Sequence, residues 1–249
     1  MNKNEFAKHL SRDKEDVKKD DLVKLTKMLY SKTAESMKNV LSNITCIETL
    51  DFIDENVKEM IDFITNDCCT IESLARILEH DYYTHTHSIN VAVYAIFLGQ
   101  VLKLDEKELE YLGISAILHD LGKSKINLEI INKNSKLSAI EFAVIKEHPR
   151  LGFEIARSLG IKNEKVLTGI KHHHERLDGK GYPDSLIASE LKLFPKIIAI
   201  CDVFDALTTK RSYKEPMSSY EAFKLMKKDQ YHLDGRLLKR FMQMMVSTN

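Results

Sequence analysis

Apolar positions recur along this chain at spacings of three and four, the period of an amphipathic helix, and alternating strand patterns are hardly seen. Leu22, Leu25, Leu29, Met37, Val40, Leu41 and Ile44 mark one stripe, weakened at its centre around Ser31 to Ser36. Leu50, Ile53, Val57, Met60, Ile61 and Ile64 mark a second, within a helix predicted from Ile47 to Ile64. Ile71 to Glu79 reads as a short helix, and the pattern breaks over Asp81 to Thr84. Asn90 to Leu102 is strongly apolar, which predicts a buried helix with His87 near its start. Another helix opens at Asp105-Glu106-Lys107-Glu108 and runs into His119 and Asp120. Ser138-Ala139-Ile140-Glu141 has the form of a capping box, opening a helix towards His148. Pro149 suits the first turn of the next helix, Arg150 to Leu159, which stops at Gly160. A helix from Val166 to His174, one opened by Pro195 and ending around Thr208-Thr209, and two stretches between Tyr220 and Met245 complete an all-α fold.

Polar residues interrupt these apolar runs at telling places. Ile114 to Leu118 delivers His119 and Asp120 side by side, and Ile197 to Ile200 leads into Cys201-Asp202-Val203-Phe204-Asp205. Tyr82-Tyr83-Thr84-His85-Thr86-His87 enters a third apolar helix, and Lys171-His172-His173-His174-Glu175 ends a fourth element. A buried, unpaired charge costs on the order of several kcal/mol or is forced to neutralise. For a single His-Asp pair, a satisfied polar contact at a helix end would be explanation enough. Its recurrence in several helices points to a metal, and borderline cations such as zinc, iron and manganese accept mixed nitrogen and oxygen donors. Adjacent helical residues point about 100° apart, so His119 and Asp120 reach one site only near a helix end, where Gly122 is expected to let the chain turn. His85 would face away from His87 and reads as a surface residue. His148 lies at a helix junction, and its assignment depends on the rest of the set. The glycines of Leu177-Asp178-Gly179-Lys180-Gly181-Tyr182-Pro183 permit a tight turn.

Composition narrows the setting. The 249 residues, 43% of them hydrophobic, suffice for one large domain with an extension, divided here into 1–48 and 49–249. Thirty-seven basic residues balance thirty-seven acidic ones, which argues against binding of polymeric nucleic acid through a strongly basic surface. No apolar run reaches membrane-spanning length, and Met1-Asn2-Lys3-Asn4-Glu5 lacks the apolar core of a secretory signal. Cys46, Cys68, Cys69 and Cys201 show no CxxC spacing and read as free thiols in a reducing cytoplasm. The stripe from Leu22 to Ile44 either packs on its own domain or forms a homodimer.

Taken in order, His87, His119-Asp120 with Leu121-Gly122-Lys123, His148-Pro149, His173-His174-Glu175, Asp178-Gly179-Lys180-Gly181-Tyr182-Pro183 and Asp202 resemble the HD-GYP family. These are bacterial HD-fold metal phosphohydrolases that hydrolyse cyclic di-GMP. The likeness spans roughly residues 50 to 245 and leaves the first 48 uncovered. It implies that His87, His119, Asp120 and Asp202 hold one metal, and that Asp120 bridges to a second held by His148, His173 and His174. Iron or manganese is expected over magnesium, which prefers oxygen ligands. The register set by Glu175 leaves His172 a bystander. Lys123, Arg211 and Lys214 are implied as phosphate-binding cations and Asp81 as a polar neighbour of the substrate. Two ions roughly 3.5–4 Å apart would activate a bridging hydroxide, with the linear dinucleotide pGpG as product and GMP after further cleavage.

Two motifs depart from the family pattern. Asp184-Ser185-Leu186-Ile187-Ala188-Ser189 lacks the glycines usual after Gly-Tyr-Pro, and Arg211-Ser212-Tyr213 replaces arginine-proline-tyrosine. These bear on loop shape and on docking of a diguanylate cyclase at Gly181-Tyr182-Pro183, more than on the ligands. Some relatives carry a glutamate four residues before the first histidine ligand, which helps to hold a third cation. Here that position is Tyr83, a poor ligand at neutral pH with its phenol pKa of about 10. Two metals are therefore expected. Other readings are a phosphodiesterase for a different cyclic dinucleotide, and a non-catalytic nucleotide receptor or cyclase-docking module.

Overall fold

A computed structural model describes residues 48–66, 86–133, 135–209, 215–228 and 232–246. Asp81, Tyr83, His85, Arg211 and Lys214 lie outside the described residues. So do the predicted helix from Ile71 to Glu79 and, apart from Glu48, the N-terminal extension with its dimerisation stripe. The described elements are helical, and the one β-bridge among them joins Asp178 to Ile187. The helices are α1 (Glu48–Asn66), α2 (Thr86–Val101), α3 (Glu106–Leu118), a 3-10 turn (Leu121–Lys125), α4 (Leu128–Ile131), α5 (Ala139–Ile145), α6 (His148–Ser158), α7 (Glu164–His172), α8 (Leu193–Thr208), α9 (Ser219–Lys228) and α10 (Gly235–Val246).

The two greasiest segments become the central helices. In α2, every residue from Ser88 to Gly99 is buried, and α8 buries Ile197 to Cys201 together with Phe204 and Asp205. A helix apolar on all sides belongs inside a bundle rather than on its surface. Accordingly α2 packs against α3, α8 and α10, while α7 packs against α3, α6 and α8. Phe204 links α8 to α9 and α10 by stacking on Phe223 at 4.9 Å and meeting Phe241 edge-on at 5.1 Å. Burying each such ring contributes roughly 1.5–3 kcal/mol. None of the described helices is long and apolar enough to cross a membrane.

The local signals act as expected at several ends. Ser138 and Glu141 close the capping box reciprocally at the start of α5, and Asp105 caps α3 by accepting from Glu108 N at 2.8 Å. Gly160, at φ +100°, lets the chain leave α6. Gly122 does something other than turn the chain. It lies outside the left-handed region, in the 3-10 turn packed on α6, and a Cβ there would stand 1.9 Å from the His148 carbonyl oxygen. Its lack of a side chain permits a close backbone approach, so the turn and α6 meet main chain to main chain. His148 also differs from its expected place before the helix: it is the first residue of α6, with Pro149 second.

Candidate metal centre

Each histidine of the cluster stands at a helix end, where direction can change within one or two residues. His119 is the C-cap of α3, still helical at φ −55° and ψ −38°, and Asp120 follows it at φ −94° and ψ 6°, where the chain passes into the 3-10 turn. His173 caps α7 and His174 follows it likewise. His87 lies in the first turn of α2, and Asp202 sits midway along α8.

The side chains fall into two groups around Asp120. Asp120, His148, His173 and His174 form one, with donor atoms all within 4.8 Å of one another; His87, His119 and Asp202 form the other. Oδ2 of Asp120 faces the latter group, 3.5 Å from His119 Nε2 and 3.8 Å from His87 Nε2. Oδ1 faces the former, 3.2 Å from His148 Nε2 and 4.0 Å from His173 Nε2. Asp202 Oδ1 lies 3.2 Å from His87 Nε2, and Oδ2 lies 3.9 Å from His174 Nδ1.

The proton arrangement tests whether a cation suits this cluster. Nδ1 of His119, His148 and His173 donates to the carbonyls of Ala116, Ile145 and Ile170 at 2.6, 2.7 and 2.7 Å. In a neutral ring with Nδ1 protonated, Nε2 carries only a lone pair. The Nε2 atoms of His148 and His173 nevertheless face one another at 3.2 Å, and His119 Nε2 and Asp120 Oδ1 are buried without a hydrogen-bond partner. Lone pairs of four groups thus converge in a place that water barely reaches. The donor set fits a cation of mixed nitrogen and oxygen preference.

Electrostatics agrees. Burial pushes His119 below the usual histidine range and His173 well below it, and it lowers His174 to about 3, so all three are neutral donors at pH 7. Burial opposes ionisation of Asp120, but the charge of Lys123, 2.6 Å away, leads the interactions that outweigh it and hold the carboxyl well below the ordinary range. His87 is the exception: burial disfavours its charge, yet hydrogen bonds with Asp202 and Asp205 prevail and raise it to about 10. A proton therefore competes with any metal for His87.

The structure brings together all seven residues expected as ligands, and Lys123 with them, its Nζ 2.6 Å from Asp120 Oδ2. His172 stays apart, with Nε2 2.8 Å from Asp184 Oδ2. The Gly-Tyr-Pro loop folds over the group of His148, His173 and His174: the Tyr182 ring lies 4.8 Å from that of His174. Glu175, buried to 1% exposure, holds this loop by accepting from Asp184 N at 2.6 Å and Leu186 N at 3.0 Å. Sequence reasoning used Glu175 only to set register and missed this clamp. Ser185 takes φ +57°, a left-handed conformation that glycine adopts at lower cost, so the departure after Gly-Tyr-Pro leaves the turn in place with a strained residue in it. Sequence reasoning also gave no part to Asp205, whose spacing of three from Asp202 on one helix was the available signal.

A helical bundle that gathers five histidines and Asp202 around the carboxylate of Asp120 has the ligand set with which a metal-site protein of the HD type could hold an ion. The family model described as HD domain matches residues 60–237, and the chain belongs to that family, which bears out the resemblance drawn from the motifs. A cyclic di-GMP phosphodiesterase of Pseudomonas aeruginosa is 34% identical over 171 residues, 69% of this chain and 41% of that protein. A 3'3'-cGAMP-specific phosphodiesterase of Vibrio cholerae is 33% identical over 196 residues, 76% of this chain and 37% of that protein. The chain thus spans about two fifths of the length of these relatives. Among solved structures, an HDG"Y"P protein of Bdellovibrio bacteriovorus superposes with a TM-score of 0.73 at 18% identity, covering 97% of this chain and 79% of that one, a likeness of fold.

Proposed function

We propose that this chain is a metal-dependent phosphodiesterase that hydrolyses cyclic di-GMP to linear pGpG, with GMP as the product of a second cut. The observation that carries the reading is the double-faced Asp120, whose two oxygens address two separate groups of histidines. His87, His119, Asp120 and Asp202 would hold one ion, and Asp120, His148, His173 and His174 the other. Iron or manganese suits a set dominated by imidazole, and when bound such ions supply Lewis acidity to a phosphate and lower the pKa of water. Tyr83 in place of a carboxylate supports two ions rather than three.

The protein's own residues do the remainder. The buried imidazoles exclude bulk water, which strengthens every charge interaction within the site. Lys123 stands in the last turn of a short helix, where a cation is also favoured by the macrodipole. Its ammonium is close enough to the cluster to offset phosphate charge as the 3' oxygen leaves. Arg211 and Lys214 are assigned the same role, with Arg211 able to grip a phosphate through two parallel bonds, and Asp81 a polar contact to the substrate. The half-exposed Gly181-Tyr182-Pro183 loop offers a docking face for a diguanylate cyclase.

A direct assay tests this. Protein loaded with Fe2+ or Mn2+ under anaerobic conditions should convert cyclic di-GMP to pGpG. Binding of the nucleotide without cleavage over hours would sink the proposal in favour of a receptor. The Vibrio relative supports a second reading, in which the hybrid 3'3'-cGAMP is preferred. Running both nucleotides in competition separates the two.

A further inference from the structure

Three of the cluster's histidines are oriented by a carbonyl three residues earlier in the chain. His87, the second residue of α2, is held by a different kind of partner. Its Nδ1 is instead 2.6 Å from Asp205 Oδ2, a carboxylate on α8 that is 1% exposed. The other oxygen of that carboxylate, Oδ1, accepts from Asn90 Nδ2 at 2.7 Å and Thr209 Oγ1 at 2.8 Å. Asp205 therefore has an acceptor facing a histidine and an acceptor facing two donors, which a carboxylate alone among side chains of this size provides.

We propose that Asp205 is the positioning residue of the first ligand group: it fixes the tautomer of His87 with the proton on Nδ1 and so aims the Nε2 lone pair at the metal. The inference rests on the metal reading of the cluster but not on the identity of the substrate. Outer carboxylates of this kind orient ligating imidazoles and raise their basicity, and their loss typically lowers metal affinity by about 10–100-fold. Only the group containing His87 depends on this device, so the two groups should respond differently to its removal.

Asp205→Asn is nearly isosteric and separates positioning from packing. Asn90 and Thr209 would keep the amide oxygen facing them, which turns the amide NH2 towards His87. His87 would then have to accept at Nδ1 and carry its proton on Nε2, the atom that faces the cluster. With Mn2+ as titrant, wild-type protein should take up two ions per chain, and Asp205→Asn should lose about 10–100-fold in affinity for one of them only. The double variant Asn90→Asp with Asp205→Asn reverses the donor and acceptor between these two side chains. The amide at position 205 can then donate to the carboxylate introduced at position 90 and accept from His87, so affinity should return. Thr209→Val removes a donor from Oδ1 alone and should leave both affinities unchanged. Wild-type affinity for both ions in Asp205→Asn would overturn the proposal, as would failure of the double variant to recover. A spectroscopic measurement on unaltered protein gives an independent answer: in the Zn2+-loaded chain, long-range proton–nitrogen correlation should find the His87 proton on Nδ1. A proton on Nε2 would refute the assignment. All of these readouts are independent of turnover, so they stand or fall apart from the nucleotide assay.

Discussion

Oδ1 of Asp120 lies 3.2 Å from Nε2 of His148, although the His148 ring already spends its Nδ1 proton on the Ile145 carbonyl. Two acceptors pressed together in a buried site repel unless a cation lies between them. Since Oδ2 of the same carboxylate faces His119 and His87, Asp120 is the residue on which both ligand groups depend. Asp120→Ala should therefore abolish turnover and weaken binding of both ions, by more than the loss of about 10–100-fold typical of an outer partner. Metal analysis of the purified variant checks this, and retention of two tightly held ions would contradict the bridging role.

Lys123→Ala should separate metal from substrate. The ammonium pairs with Asp120 Oδ2 at 2.6 Å but offers no lone pair to a metal. Both ions should stay while kcat/KM for cyclic di-GMP falls. Loss of metal in this variant would show that Lys123 supports the ligands instead.

Chelation asks whether the nucleotide is held by metal. Apo protein should bind cyclic di-GMP markedly more weakly than the loaded form if phosphate oxygens contact the ions. Equal affinity by calorimetry would favour a receptor that grips the nucleotide through residues such as Arg211 and Lys214.

Gly122→Ala tests the packing of the 3-10 turn on α6. The added methyl would meet the His148 carbonyl at 1.9 Å and Gly152 N at 2.5 Å, so the backbone must move. A loss of at least roughly 1–3 kcal/mol in urea unfolding is expected from such overpacking. Metal affinity should fall with it, because His148 lies on the segment displaced. Unchanged stability would mean that the two segments can slide apart freely.

Glu175→Ala addresses the clamp on the Gly-Tyr-Pro loop. It leaves the amides of Asp184 and Leu186 without their acceptor, at about 1–3 kcal/mol for each that stays buried. Hydrogen exchange at these two amides should quicken while the core of α2 remains protected. Exchange at wild-type rates would remove Glu175 from the loop's support.

Much of the helical layout was legible because its signals are local. The unbroken apolar run of α2, the capping box at Ser138 and the stop at Gly160 each act within one or two turns of chain. The grouping of ligands was legible for another reason: buried imidazoles and carboxylates are costly enough that several of them ask for a common explanation. Where the reading failed, the cause was a contact distant in sequence. Gly122 looked like a turn residue, because nothing local reveals that the His148 backbone will press on it. Asp205 looked like one more acid in a greasy helix until folding laid it beside His87, 118 positions away. Glu175 likewise meets its amides only when the loop closes back on it.

The rings of His119, His148 and His173 give their hydrogen bonds to carbonyls at the last turns of α3, α5 and α7, groups that a helix cannot satisfy by itself. Each imidazole is thus a strut, with one nitrogen stitched to a fraying end and the other free for the ion. A metal tightened at one end of such struts resists unwinding at the other. Ion release and melting of these three helix ends should then be a single linked event, and the protein's metal content would double as a gauge of its structural integrity.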